Sequence, residues 1–191
     1  MTDRFDQALS YASRLHRGQR RKGAEIPYVA HLLAVTSLVL EHGGDEDEAI
    51  AALLHDSIED IGGEGLRREI RELFGERVLG IVEGCTDTDR QPKPPWRERK
   101  EVFLERLPRA AASVRLVVAA DKLHNVRSML MDHTRIGDRL WQRFRGGRDG
   151  TLWYYRAVAD ALRQVEQTPL VEELHRAVTE LELAASRSAS R

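Results

Sequence analysis

Cysteine is nearly missing from this 191-residue sequence, with Cys85 the only one. That excludes an internal disulfide framework and any metal site built from several thiolates, and it fits a reducing compartment. Net charge is nearly missing too, since 30 basic residues face 31 acidic ones for a formal charge of -1. No global field draws such a chain to nucleic acid or to an anionic membrane, so any anion must be bound locally. No apolar run approaches the ~20 residues of a membrane span, and the opening MTDRFDQ has no signal-peptide core. A soluble, cytoplasmic protein with neither nucleic-acid nor membrane partners is expected. Strand-type alternation, internal repeats, a glycine-rich phosphate loop and sustained heptads are absent as well.

What is present is helical periodicity. Hydrophobic content of 41% over this length suffices for one packed domain. An all-α bundle over residues 1–183 is expected, with a disordered tail at 184–191. Phe5, Ala8, Leu9, Ala12 and Leu15 recur at helical spacing behind Thr2 or Asp3 as cap. The basic run HRGQRRKG (16–23) follows, then a helix from Pro27 to the Gly43-Gly44 break. Further helices are expected over Leu66–Phe74, Glu76–Val82 and Trp96–Leu107, from near Ala110 onward, and in TLWYYRAVADALRQ and PLVEELHRAVTELELAA. The proline-rich stretch 85–95 reads as a loop.

One stretch organises the rest. DEDEAIAALLHDSIEDIGG, Asp45 to Gly63, reads as a single helix capped by Asp45 and stopped by Gly62-Gly63. Its run Ala49–Leu54 marks a helix buried on most sides. Yet it ends in His55, Asp56, Glu59 and Asp60, where two i,i+4 pairs stack on neighbouring rows. Three carboxylates and an imidazole at the end of an apolar helix require a cation, and a divalent metal is the simplest one. The stretch SVRLVVAADKLHNVRSMLM repeats the design, its apolar run delivering Asp121, Lys122, His124 and Asn125, with Asn125 and Ser128 on the face of Asp121. Taken alone, His31 among Val29, Leu32, Leu33 and Val35 is a core histidine more readily than a ligand. The basic loop reads equally as a solvated charge run or as a phosphate-facing surface whose guanidinium plane stacks on a base.

HRGQRRKG, PYVAHLLAV, AALLHDSIED and AADKLHNVRS, in this order and spacing, resemble the hydrolase domain of the RelA/SpoT family over roughly residues 1 to 165. The chain length resembles the single-domain small alarmone hydrolases, without room for a synthetase domain. The resemblance implies an all-helical HD-superfamily fold. It also implies one divalent cation, usually manganese, and removal of the 3′-pyrophosphate from (p)ppGpp or the adenine counterparts (p)ppApp, which would be the small-molecule partner. Carried over by motif position, the metal ligands are His31, His55, Asp56 and Asp121. Glu59 and Asp60 are assigned to catalysis, and each lies one helical turn beyond a ligand. Asn125 would contact ribose or phosphate during catalysis, with Ser128 beside it. Arg21 would stack on the purine and Lys22 would meet phosphate. Two departures stand out: Leu32 follows His31 where the family has proline, and Ile61 follows Asp60 where it has threonine. Another HD nucleotidase or phosphodiesterase, and a nucleotide sensor without turnover, are the competing readings. The sequence leaves the oligomeric state open.

Overall fold

The computed structural model describes residues 1–90 and 92–188. Among these residues there is no strand beyond an isolated bridge between Arg20 and Pro27, as the all-α expectation requires. Contacts cluster into two compact units. The first holds Met1–Lys93 and Ala110–Ala120, the second Pro94–Arg109 and the chain from Asp121 onward.

In the first unit, α1 (Asp3–Leu15) begins at Thr2, whose hydroxyl accepts from the Arg4 amide. The next helices are α2 (Val29–Glu41) and α3 (Glu46–Leu54). A reciprocal capping box starts α3: the Glu48 amide donates to Asp45 Oδ1 and the Asp45 amide to Glu48 Oε2. Every residue from Ala49 to Leu54 is 0% exposed, because α1, α2 and α6 (Glu76–Cys85) all pack on α3. Arg4 ties α1 to its neighbours, with Nη2 donating to the Phe74 carbonyl at 2.8 Å and to the Asp47 carboxylate.

The single helix expected from Asp45 to Gly63 is broken. α3 stops at Leu54, and a short α4 covers Ser57–Asp60. At the break, two side chains bond backbone carbonyls. Ser57 Oγ donates to the Leu54 carbonyl at 2.6 Å, and His55 Nδ1 bonds the Ala52 carbonyl at 2.8 Å. α5 (Glu64–Phe74) then lays Leu66, Ile70 and Phe74 into the core at i,i+4,i+8 spacing. Gly75, at φ 89°, turns the chain directly into α6.

The first residues of α8 (Ala112–Ile136) also belong to this unit. They approach α6 at Gly84, where an added Cβ would lie 2.5 Å from a Val114 methyl. Gly84→Ala is therefore expected to cost about 1–3 kcal/mol, since the β-branched Val114 cannot swing aside. Urea unfolding followed by circular dichroism measures this, and a variant as stable as the parent would refute the close approach.

The second unit comprises α7 (Trp96–Arg106), a 3-10 turn (Leu107–Arg109), α8 from Asp121 on, a 3-10 stretch (Gly137–Arg143), α9 (Gly147–Val165) and α10 (Pro169–Ser188). α9 and α10 pack on each other, and both carry buried apolar residues, among them Val158 and Leu162 on α9 and Leu174, Val178 and Leu181 on α10. The expected disordered tail from 184 is corrected in part, because α10 continues to Ser188. Ala185 is fully buried and its carbonyl accepts from Arg148 Nη2 at 3.0 Å, which holds that last turn. Residues 189–191, the rest of that tail, lie outside the described residues. No helix among the described residues is long and apolar enough to cross a membrane.

Candidate metal and phosphohydrolase site

The break after Leu54 has a geometric consequence. On a continuous helix, neighbouring residues point about 100° apart and do not face one another. Here His55 Nε2 lies 3.1 Å from Asp56 Oδ2. His31 comes from the first turn of α2, and its Nε2 lies 3.5 Å from the same carboxylate oxygen. The two imidazoles meet edge to face, with ring centroids 5.2 Å apart. One ligand atom from each of His31, His55 and Asp56 falls within 4.8 Å of the others. That span is little more than the ~4.4 Å maximum that two bonds of about 2.2 Å to one ion allow.

Surrounding bonds set the chemistry of these donors. The Ala52 carbonyl can only accept, so His55 Nδ1 carries a proton, and Nε2 is the nitrogen left facing Asp56. Tyr28, at the cap of α2, donates its hydroxyl to Asp56 Oδ2 and packs edge-on against His31 at 5.4 Å. Both imidazoles are buried, at 1% and 3% exposure, while Asp56 is half-buried. Two imidazole nitrogens and a carboxylate oxygen, oriented by outer partners, suit a divalent first-row cation, so the residues present fit such an ion.

Glu59 and Asp60 lie on α4 and engage different partners. Lys93, from the proline-rich loop, donates Nζ to the Glu59 carbonyl at 3.1 Å and sits 3.5 Å from Glu59 Oε1. Asp60 Oδ2 accepts from Gln19 Nε2 at 2.6 Å, and Gln19 Oε1 lies 2.6 Å from His16 Nδ1. Burial holds the Asp60 carboxyl above the ordinary carboxylate range and the Asp56 charge adds to this, while the Gln19 bond and the His16 and Lys93 charges oppose it.

The basic run folds into a tight loop. The Arg21 amide donates to the Ile26 carbonyl at 2.8 Å, and the Tyr28 amide to the Gln19 carbonyl at 3.0 Å. Arg21 places its guanidinium carbon 5.8 Å from the centre of the Tyr28 ring, whereas Lys22 is exposed. In the second unit, the Asp121 carboxylate accepts from Lys122 Nζ and from the Asn125 amide. The Lys122 ammonium is held well above the ordinary lysine range: burial opposes its charge, and the Asp121 carboxylate that it bonds more than compensates. Ser128 turns its hydroxyl back to the His124 carbonyl at 2.9 Å. Of the ten sequence-derived positions, the structure thus gathers His31, His55 and Asp56 into one cluster with Arg21 adjoining it through Tyr28. Within the second unit, Asp121 and Asn125 are bonded to each other.

Sequence reasoning did not single out Tyr28, Gln19 or Lys93. Tyr28 and Gln19 lay inside motifs already in view. Lys93 carried no signal beyond being a cation in a proline-rich loop.

A helical protein with a buried His-His-Asp cluster at a helix break is what the HD domain provides, and the HD domain family model matches residues 8–152. The chain belongs to the HD-domain family. Among its relatives is the guanosine-3′,5′-bis(diphosphate) 3′-pyrophosphohydrolase MESH1 of Xenopus tropicalis. The two are 40% identical over 126 residues, covering 64% of this chain and 68% of that protein. MESH1 of Drosophila melanogaster is 34% identical over 163 residues, covering 84% of this chain and 85% of its own length. A solved structure described as a metazoan ortholog of SpoT that hydrolyses ppGpp superposes with a TM-score of 0.75 at 29% identity, over 95% of this chain and 94% of that one. HD domains bind divalent metals, and the His31, His55, Asp56 cluster is consistent with that property.

Proposed function

We propose that the protein is a metal-dependent 3′-pyrophosphohydrolase acting on (p)ppGpp-type alarmones, in the cytoplasm, with manganese as the working ion. The carrying observation is the continuity from cluster to loop: Tyr28 bonds Asp56 through its hydroxyl and lies under the Arg21 guanidinium through its ring. A metal cluster alone is common to HD phosphohydrolases. A basic loop anchored to it by one shared aromatic residue suits a substrate with both a purine and several phosphates.

His31, His55 and Asp56 would hold the ion, and motif correspondence adds Asp121 as the fourth ligand. Bound there, a divalent cation polarises a phosphoryl oxygen and lowers the pKa of water. The protein's own groups do the rest. Glu59 takes the proton of the attacking water, with Lys93 fixing its position, and Asp60 orients that water by hydrogen bonding. Asn125 binds ribose or phosphate, with Ser128 nearby. Lys22 supplies a point charge to phosphate, and Arg21, already backed by Tyr28, offers its outer face to the purine. Stacking tolerates either purine, so (p)ppApp is a substrate on the same terms.

The test is steady-state turnover of ppGpp, ppApp, deoxynucleoside triphosphates and cyclic dinucleotides, with manganese restored after chelation. Alarmone turnover dependent on added metal supports the proposal. Turnover of only the other substrates indicates a different HD phosphohydrolase, and tight alarmone binding without turnover indicates a sensor. A finer expectation concerns the loop. Arg21→Lys keeps the charge and loses the plane, so KM for ppGpp should rise about fivefold, the equivalent of ~1 kcal/mol of cation–π stacking. Lys22→Ala should instead flatten the salt dependence of kcat/KM. Wild-type KM and salt response in both variants would make the loop a solvated charge run.

A further inference from the structure

His16 is used by none of the chemistry above, yet it is held as though it mattered. It is 3% exposed, its ring stacks on Tyr28 at 5.3 Å, and its Nε2 is buried without a hydrogen-bond partner. An apolar side chain would fill that space without burying an unpaired nitrogen, so the explanation must lie at the other nitrogen.

The bonding pattern at Nδ1 can be read without seeing hydrogens. An ionised Asp60 carboxylate only accepts, so the Gln19 atom 2.6 Å from Oδ2 must be the amide nitrogen. The Gln19 oxygen then faces His16 Nδ1 at 2.6 Å, and an oxygen acceptor requires Nδ1 to carry its proton. The bonds run in one direction: His16 Nδ1–H to Gln19 Oε1, and Gln19 Nε2–H to Asp60 Oδ2. Were the amide turned over, its carbonyl oxygen would confront the carboxylate. The Gln19 backbone is pinned at both ends, its amide donating to the His16 carbonyl at 2.9 Å and its carbonyl accepting from the Tyr28 amide at 3.0 Å. The Gln19 side chain is then held at its two amide ends, by His16 at the oxygen and by Asp60 at the nitrogen.

We propose that His16 is a positioning residue for Asp60, acting through Gln19: its Nδ1–H locks the amide in the orientation that fixes the Asp60 carboxylate. The inference rests on the proposed water-orienting role of Asp60. It extends the proposed function of the HRGQRRKG loop, whose Arg21 and Lys22 are assigned to substrate while its histidine and glutamine hold a carboxylate of the reaction centre.

The test uses the full chain loaded with manganese. His16→Phe keeps a ring against Tyr28 and removes the donor. His16→Asn gives up the ring but places an amide N–H near the position of Nδ1–H. Gln19→Met removes the link from a half-exposed loop position and serves if His16→Phe does not fold. Loss of an outer partner costs about 10–100-fold, so His16→Phe and Gln19→Met should each lower kcat for ppGpp by roughly tenfold. KM, metal content and melting temperature should stay close to wild type. His16→Asn should recover most of kcat, and the double variant His16→Phe, Gln19→Met should be no worse than either single one. Wild-type kcat in Gln19→Met overturns the proposal. So does a His16→Asn variant as slow as His16→Phe, or a kcat loss that merely tracks lost metal. Nitrogen-15 NMR of the imidazole, read without substrate, separates this inference from the functional reading. If wild-type protein turns over no alarmone, that reading fails, while an Nδ1–H tautomer lost in Gln19→Met still supports the relay. An Nε2–H tautomer overturns the relay whatever the activity.

Discussion

His55→Ala is expected to strip the protein of its metal and its turnover together, whereas Glu59→Gln keeps the metal and loses turnover alone. His55 is the residue about which the cluster is built. It sits at the helix break, its Nδ1 is committed to the Ala52 carbonyl, and its Nε2 faces Asp56 at 3.1 Å. Removing it takes a donor atom away and leaves a void at a 3% exposed position, so the remaining donors lose both partner and packing. Metal affinity should fall by more than the roughly 10–100-fold that loss of an outer-shell partner costs. Asp121→Ala, at the position that motif correspondence makes the fourth ligand, should do the same. Glu59 lies on α4, beyond the break, and is held by Lys93. Its amide isostere keeps shape and removes the base, so kcat should fall by about 10²–10⁴-fold with metal content unchanged. Elemental analysis beside a ppGpp assay decides the matter, and a metal-free His55→Ala protein with full activity would refute the site.

Chelation should lower the melting temperature, and manganese should restore it. The donors come from α2 and from the break between α3 and α4, and both flanking helices are buried where the cluster forms. An ion bound only by the folded chain stabilises it by mass action, about 2.7 kcal/mol when its concentration is a hundred times Kd. For a chain of this size each kcal/mol moves the midpoint by about 2–4 °C, so a shift of roughly 5–11 °C is expected. Calcium, which prefers more and harder oxygen ligands, should restore less. A melting temperature indifferent to verified metal removal would mean that the cluster is neutralised by its own bonds, among them the Tyr28 hydroxyl on Asp56.

Much of this was readable in the order of residues. Caps and stops at Thr2, Asp45 and Gly75, and the apolar run Ala49–Leu54, act over a few residues and need no tertiary partner to be recognised. The same holds for the chemical types gathered in HDSIED and the basic loop, from which a cation and an anionic substrate follow by charge alone. Within the expected tail, residues 184–188 are polar in composition yet continue α10, where Ala185 is buried and Arg148 bonds its carbonyl.

The tertiary structure decided how adjacent residues face one point. Sequence spacing places His55 and Asp56 on diverging rows of a helix. In the folded chain that helix ends at Leu54, the Ser57 and His55 side chains bond the Leu54 and Ala52 carbonyls, and both groups lie toward His31. His31 itself reads as core by its neighbours in sequence, and it becomes part of a cluster only through the packing of α2 on α3. Tyr28, Gln19 and Lys93 meet Asp56, Asp60 and Glu59 across 28, 41 and 34 residues of chain. Local periodicity carries no information over such separations, because closing those loops is driven by the burial of the whole core and not by any residue within them.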